Sequence, residues 1–175
     1  DYDDFEIDDF GLVLVDVSSP ENPRELGRLA LRGMLIGLLW REDTVYALQY
    51  AFSPDDGRRG TVVSEISVTG NTLELTEEWE RFDATPHDLE LLEGALYVST
   101  SSGIHVIDQE SASEEMLLTV DQGIPGQMAI SGDRLYLCGQ NLGLVTYDVS
   151  IPLAPVELGF TPFDLDHSPP LSARD

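Results

Sequence analysis

The chain contains no lysine and a single cysteine, Cys138. Its 9 basic residues are all arginines and face 33 Asp and Glu residues, so the formal net charge is −24. A surface this acidic repels nucleic acid and anionic lipid, whereas it attracts cations or a basic partner. One cysteine cannot form a disulfide within the chain, and its apolar strand predicts that the Cys138 thiol is buried. No apolar stretch approaches the roughly 20 residues of a membrane-spanning helix. We therefore expect no nucleic-acid partner and no membrane span.

Sequence motifs of catalytic sites are also missing. There is no Gly-x-Ser-x-Gly run, no phosphate loop and no Cys–His pair. The three histidines are His87, His105 and His167, and no two of them have a zinc-like spacing. These absences favour a non-enzymatic protein that needs no cofactor.

An internal repeat organises the chain. Four β-rich segments each begin with a glycine and reach an acid five residues later: Gly11 to Asp16, Gly60 to Glu65, Gly103 to Asp108, and Gly143 to Asp148. A second motif recurs between them, in which an apolar strand and a polar turn precede a strand with a tyrosine: Leu38 to Tyr46, Leu89 to Tyr97, and Met128 to Tyr136. Polar turns between short apolar runs are typical of hairpins.

Each repeat unit thus holds four short antiparallel strands in roughly 40–50 residues, the size of a β-propeller blade. We number them outward: strand one is the leucine or methionine strand, strand two carries the tyrosine, strand three is the glycine-to-acid strand, and strand four is the last. The sequence predicts an all-β propeller segment over residues 1–175. A sandwich does not predict a repeated four-strand unit, and the coils of a β-solenoid are usually shorter.

This register predicts about three complete blades and two partial ones, with boundaries near residues 33, 83, 123 and 162. Residues 1–10 precede a strand three without a strand one or two, and Leu165–Asp175 lie where the next strand one belongs. We favour a segment of a larger propeller. The alternative is that the two ends share one blade and close a four-bladed ring.

At its glycine-to-acid strands the sequence resembles the LVIVD-repeat β-propellers, whose signature is Gly-Leu-x-Val-Ile-Asp-Val-Ser-x-Pro-x-x-Pro. The first segment matches it at Gly11, Leu12, Val13, Leu14, Val15, Asp16, Val17, Ser18, Pro20 and Pro23. The fourth matches it at Gly143, Leu144, Val145, Asp148, Val149, Ser150, Pro152 and Pro155. The resemblance implies a surface-attached or exported protein with no shared catalytic residues. The signature acid follows an apolar strand, and we expect it to accept N–H groups of the adjoining turn.

Ligand sites of propellers often lie on the loops at the channel mouth. In this register the connections between strands four and one, and between strands two and three, form an acidic face there. We predict that Arg32, Asp121 and Asp164 belong to an interaction face, together with Trp40, which has no equivalent in the other repeats.

Metal ligands at that face are the alternative. Asp1, Asp3 and Asp4 belong to an acid-rich run whose oxygen atoms would suit Ca²⁺. The run lacks the EF-hand order, however, and its apolar residues alternate with acids as in an edge strand. His87 beside Asp88 offers a ligand pair or a general base, although we favour a structural, hydrogen-bonded histidine.

Three functions remain open. The first is an extracellular, cell-surface or periplasmic interaction module that binds a protein or glycan partner, or the remaining blades of the same propeller, with its acidic face. The second is a propeller hydrolase or lyase with Ca²⁺ or a similar ion at the channel mouth. The third is a structural subunit of a surface assembly or filament, because open sheet edges recruit other strands.

Overall fold

A computed structural model of the chain confirms the all-β prediction. It describes residues 10–53, 55–81, 83–111, 113–118, 124–140 and 143–162. These residues form fourteen strands in four antiparallel sheets, and this part of the chain contains no α-helix. Accordingly, none of the described segments provides a helix that could cross a membrane.

The first sheet is a half-blade of two strands, β1 (Gly11–Asp16) and β2 (Arg24–Ala30). They correspond to strands three and four of the repeat unit. Within the described residues β1 pairs with β2 alone. The predicted partial blade at this end of the chain is therefore confirmed as a two-stranded sheet.

Three complete blades follow, each with four strands. Blade one contains β3 (Gly33–Arg41), β4 (Thr44–Phe52), β5 (Arg59–Thr69) and β6 (Thr72–Arg81). Blade two contains β7 (Pro86–Leu92), β8 (Ala95–Thr100), β9 (Gly103–Asp108) and β10 (Ser113–Leu118). Blade three contains β11 (Ile124–Ser131), β12 (Arg134–Gln140), β13 (Gly143–Asp148) and β14 (Val156–Thr161).

The strand order within every complete blade follows the chain, from strand one to strand four. Short hairpin turns make this possible. In the turn between β7 and β8, Glu93 and Gly94 both have positive φ, at 47° and 82°, as a type I′ turn requires. The predicted meander of four antiparallel strands is therefore confirmed.

The hydrophobic core lies between neighbouring sheets in three buried clusters. Leu12 and Leu29 of the half-blade pack against Val45 and Ala47 of blade one. The face of blade one that carries Tyr46 packs against blade two, and blade two packs in the same way against blade three. The sheets thus stack face to face in chain order, and within the described residues the stack does not close into a ring.

The structure corrects one alignment of the sequence analysis. The first residue of strand two pairs with Asp108 in blade two and with Asp148 in blade three. In blade one the corresponding partner is Ser67, whereas Glu65 lies two residues earlier and pairs with Tyr46. A count of five residues from the glycine does not reach the equivalent position here, because β5 has eleven residues whereas β9 has six.

The structure also corrects the predicted burial of Cys138, because its side chain is only half-buried. It lies in β12, where its thiol is 3.7 Å from the carbonyl oxygen of Gln127. Leu137, its neighbour on the opposite face, packs into the core against blade two. Cys138 therefore points toward the far side of blade three, which no described sheet covers.

The predicted boundaries are compatible with the sheets, which begin at Gly33, Pro86 and Ile124, while β14 ends at Thr161. Their assignment to one propeller segment stays a prediction. The second partial blade was expected at Leu165–Asp175, which lie outside the described residues. Closure of the two ends into a shared blade is consequently untested.

Candidate interaction surface

The acids of the LVIVD-like motif accept hydrogen bonds from the turns that follow them. Asp16, Asp108 and Asp148 each accept a backbone N–H two residues further on, from Ser18 at 2.8 Å, Glu110 at 3.0 Å and Ser150 at 3.0 Å. Such bonds to the charged carboxylate favour ionisation. The Ser18 and Ser150 N–H groups lower the pKa of Asp16 and Asp148, and the Ser111 hydroxyl, followed by the Glu110 N–H, lowers that of Asp108. These carboxylates hold the turn after strand three.

His87 and Asp88 lie at the start of strand one in blade two, beside a β-bulge. Asp88 accepts two backbone N–H groups, one from Leu89 at 2.9 Å and one from Met128 at 2.7 Å. Its carboxylate therefore ties blade two to blade three. His87 has a lowered pKa because burial disfavours the imidazolium. Among the described residues, no three His, Cys, Asp or Glu side chains approach closely enough to hold a metal ion.

Arg32 lies in the loop between the half-blade and blade one. Its guanidinium forms ion pairs with Glu78, at 3.1 Å, and with Glu80. Both carboxylates belong to the outer strand of blade one. The Glu80 hydrogen bond is the main cause of the raised pKa of Arg32. The Arg32 side chain thus pairs with acids of blade one, the blade that its loop enters.

Trp40 lies near the far end of β3, the strand that follows the Arg32 loop, one residue before this strand ends. Its ring is largely exposed, and its indole N–H donates to the carbonyl oxygen of Glu42 at 2.6 Å. Eight residues of a strand span about 26 Å. Arg32 and Trp40 are consequently not neighbours on one surface.

The described loops at the predicted mouth carry both signs of charge. Arg58 pairs with Asp56 at 2.5 Å, and Arg81 pairs with Asp83 at 2.8 Å. The remaining candidates, Asp1, Asp3, Asp4, Asp121 and Asp164, lie outside the described residues. At both places an arginine thus offsets the charge of a neighbouring acid.

A groove between blades one and two presents carboxylates instead. We call it the inter-blade groove, and it has a volume of about 80 Å³, room for a few water molecules. Its lining combines acids, aromatic rings and apolar side chains: Tyr46, Val63, Glu65, Glu77, Glu78, Trp79, Leu96, Ile107, Asp108 and Gln109.

Strand pairing brings two of these carboxylates together. Glu65 of β5 lies directly opposite Glu77 of β6, next to a bulge. Gln109 of blade two reaches across the groove, where its side-chain amide donates to the Tyr46 hydroxyl at 2.5 Å and lies 3.4 Å from Glu65. Asp108 adds a third carboxylate from the neighbouring blade.

This groove was not predicted from the sequence, in which Glu65 was assigned to the structural acid of the repeat. The opposition of Glu65 and Glu77 depends on a bulge between Glu65 and Ile66. No spacing rule reveals that register from residues twelve apart in the chain.

Comparison with known families matches the LVIVD repeat at residues 7–30 and 122–160. These ranges contain the motifs that begin at Gly11 and Gly143, the two most complete copies of the signature. A search of the curated proteins found no match to the chain. Together with the four-stranded blades, this match confirms the resemblance: the chain carries LVIVD repeats, and its sheets are consistent with β-propeller blades.

Proposed function

We propose that the chain is a non-enzymatic interaction module whose inter-blade groove binds an arginine or lysine side chain of a protein partner. The module acts outside the cytoplasm, at the cell surface or in the periplasm, as the LVIVD resemblance implies, and needs no cofactor. The hypothesis drawn from the sequence also included glycan partners and placed the binding surface on the acidic loops at the channel mouth. The charges of the groove favour a protein partner, because a cationic side chain is what opposed carboxylates recognise.

The pairing of Glu65 with Glu77 carries this proposal. Like charges directly opposite each other on neighbouring strands destabilise a sheet. Nearby arginines form ion pairs with other acids: Arg32 pairs with Glu78 and Glu80, and Arg81 pairs with Asp83. A cation supplied by a partner would remove this repulsion and so gain affinity.

The remaining lining suits a long cationic side chain. Leu96 and Ile107 offer apolar surface for its methylene stem, as arginine and lysine stems favour. Trp79 provides an aromatic ring, which attracts cations through its π face. Asp108 keeps its charge because hydrogen bonds to Ser111 and Glu110 lower its pKa.

A pair of isosteric peptides tests the proposal. The chain is titrated with a five-residue blocked peptide that has one central arginine, and in parallel with the same peptide carrying citrulline, which has the same shape without the charge. Binding is read from the NMR signal of the Trp79 indole. We expect saturable shifts with arginine, at an affinity near the millimolar range that corresponds to about 4 kcal/mol, and none with citrulline.

Two single-charge variants provide the matched control. Glu77→Gln removes a groove carboxylate, and Glu74→Gln removes an exposed carboxylate of the same strand that lies outside the groove lining. We expect Glu77→Gln to weaken arginine binding by several-fold and Glu74→Gln to leave it nearly unchanged. Equal weakening by both variants, or equal shifts with citrulline, would refute the groove as the binding site.

A further inference from the structure

A second cavity lies next to the inter-blade groove. The turn between β3 and β4 and the turn between β7 and β8 form its sides, and Tyr46 and Leu91 complete its wall. We call this cavity the turn cleft. Its volume is about 430 Å³, whereas that of the inter-blade groove is about 80 Å³. The groove, with room for a few water molecules, thus adjoins a much larger space.

The two cavities meet at Tyr46, which lines both of them. Its side chain is buried in the cluster between blades one and two. The opposite wall is also shared, because the backbone N–H of Gln109 donates to the carbonyl oxygen of Gly94 at 3.0 Å. Gln109 lines the inter-blade groove and Gly94 lines the turn cleft. The boundary between the two cavities therefore lies where Tyr46 and Gln109 face each other.

The side chain of Gln109 closes this boundary. Its Nε2 donates to the Tyr46 hydroxyl at 2.5 Å and lies 3.4 Å from the Glu65 carboxylate. A side-chain amide has two hydrogens to donate, and here each of them has an acceptor on blade one. Because Gln109 itself belongs to blade two, the hydrogen bond to Tyr46 is a bridge that crosses from one blade to the other.

The corresponding tyrosine at the next blade junction has a different kind of partner. Tyr97 of blade two donates its hydroxyl to the backbone carbonyl oxygen of Pro152. A backbone carbonyl is present whatever the side chain, whereas the bridge to Tyr46 depends on the side chain of Gln109. The Tyr46–Gln109 bridge is therefore a property of this groove and not of the repeat in general.

We propose that Gln109 is the specificity-determining residue of the inter-blade groove: with Tyr46 it closes the passage to the turn cleft and limits the ligand to one cationic side chain no longer than arginine. This inference rests on the proposed function, since it assigns a length limit to the same groove. A longer side chain has to displace the Gln109 amide and break its bonds to Tyr46 and Glu65, which lowers the affinity.

Two peptides that differ in side-chain length test the bridge. The blocked arginine peptide is compared with the same peptide carrying homoarginine, which has the same charge and one more methylene. Binding is read from the NMR signal of the Trp79 indole in the parent chain, in Gln109→Ala and in Gln109→Met. We expect the parent chain to bind homoarginine several-fold more weakly than arginine. Gln109→Ala, with the passage open, should bind homoarginine at least as tightly as arginine.

Gln109→Met is the matched control, because it loses the same hydrogen bonds as Gln109→Ala but keeps the length of the side chain. It should retain the preference for arginine. An equal loss of preference in both variants would assign it to the hydrogen bonds and overturn the closed passage. Equal binding of the two peptides by the parent chain, or an unchanged preference in Gln109→Ala, would overturn the role of Gln109 and leave the arginine site in place. Failure of the parent chain to bind arginine would instead refute the proposed function, and this inference with it.

Discussion

Gln49 lies fully buried in β4, and its side-chain amide uses both of its ends. Its Oε1 accepts the backbone N–H groups of Arg32 at 3.0 Å and Gly33 at 3.1 Å, and its Nε2 donates to the Ser64 hydroxyl at 2.7 Å. Ser64 in turn donates to Glu78 at 2.9 Å. One side chain thus fixes the loop that enters blade one and links it to the outer strand.

Replacement of Gln49 should therefore be costly. Gln49→Leu keeps the approximate volume but leaves the Arg32 and Gly33 N–H groups without an acceptor, at about 1–3 kcal/mol for each buried group. We expect the free energy of unfolding to fall by about 2–4 kcal/mol in urea denaturation. Gln127→Leu, at an exposed position, should change it by less than about 0.5 kcal/mol. A similar small effect of Gln49→Leu would contradict the network.

The motif acids make a pH-dependent contribution at the same scale. The pKa of Asp148 is lowered in the folded chain, first by the Ser150 N–H and also by Arg134, which lies 3.4 Å away. A carboxyl whose pKa is depressed on folding stabilises the fold above its unfolded value of about 3.9, and this stabilisation is lost as the pH falls through the folded value.

Asp148→Asn keeps an oxygen acceptor but does not titrate. We expect the variant to be less stable than the parent chain at pH 7 and the difference between them to shrink below about pH 4. Thermal unfolding followed by circular dichroism at several pH values measures this difference. Asp55→Asn is the control, because the Asp55 carboxylate makes no described hydrogen bond. A stability difference that stays constant down to pH 3 would show that the Asp148 charge is not involved.

At the scale of strands, the sequence predicted the blades well and their registers less well. Glycines, tyrosines and polar turns recur because each blade needs the same chain reversals and the same packing positions. The Gly60 segment was misaligned since β5 continues five residues longer than β9. Strand length and bulges depend on pairing with the neighbouring strand, and this is also why the inter-blade groove could not be predicted.

Blades are linked through the tyrosines of strand two. The Tyr46 hydroxyl meets Gln109 of the next blade, and the Tyr97 hydroxyl donates to the Pro152 carbonyl oxygen at 2.5 Å. Both partners follow strand three of the next blade along the chain: Gln109 comes directly after β9, and Pro152 lies four residues after β13. Pro152 belongs to the LVIVD-like motif itself. Burial raises the pKa of Tyr97 to about 12, so the donor keeps its proton at neutral pH.

Tyr97→Phe removes this link between blades two and three without changing the ring. We expect a loss of about 1 kcal/mol in the free energy of unfolding. Tyr136→Phe is the matched control, because Tyr136 occupies the same position in blade three and its hydroxyl has no described partner. It should cost less than about 0.5 kcal/mol. Equal costs for the two variants would mean that the hydroxyl bond to Pro152 contributes nothing specific.

At the scale of the whole molecule, the described chain is a stack of similar sheets with two different ends. The half-blade presents the unpaired edge of β1, and blade three presents the exposed side chains of β14. Each sheet buries its apolar residues only against its neighbours, so each blade depends on the next for stability. This arrangement places grooves between neighbouring blades.

Residue-resolved hydrogen exchange tests this architecture most directly, because amides in doubly paired strands exchange slowest. We predict three maxima of protection along the chain, at β4–β5, β8–β9 and β12–β13, which are strands two and three of each complete blade. The outer strand β6 and the free-edge amides of β1 should exchange faster. Uniform protection across all strands, or protection in β6 equal to that in β5, would contradict the blade order on which the account depends.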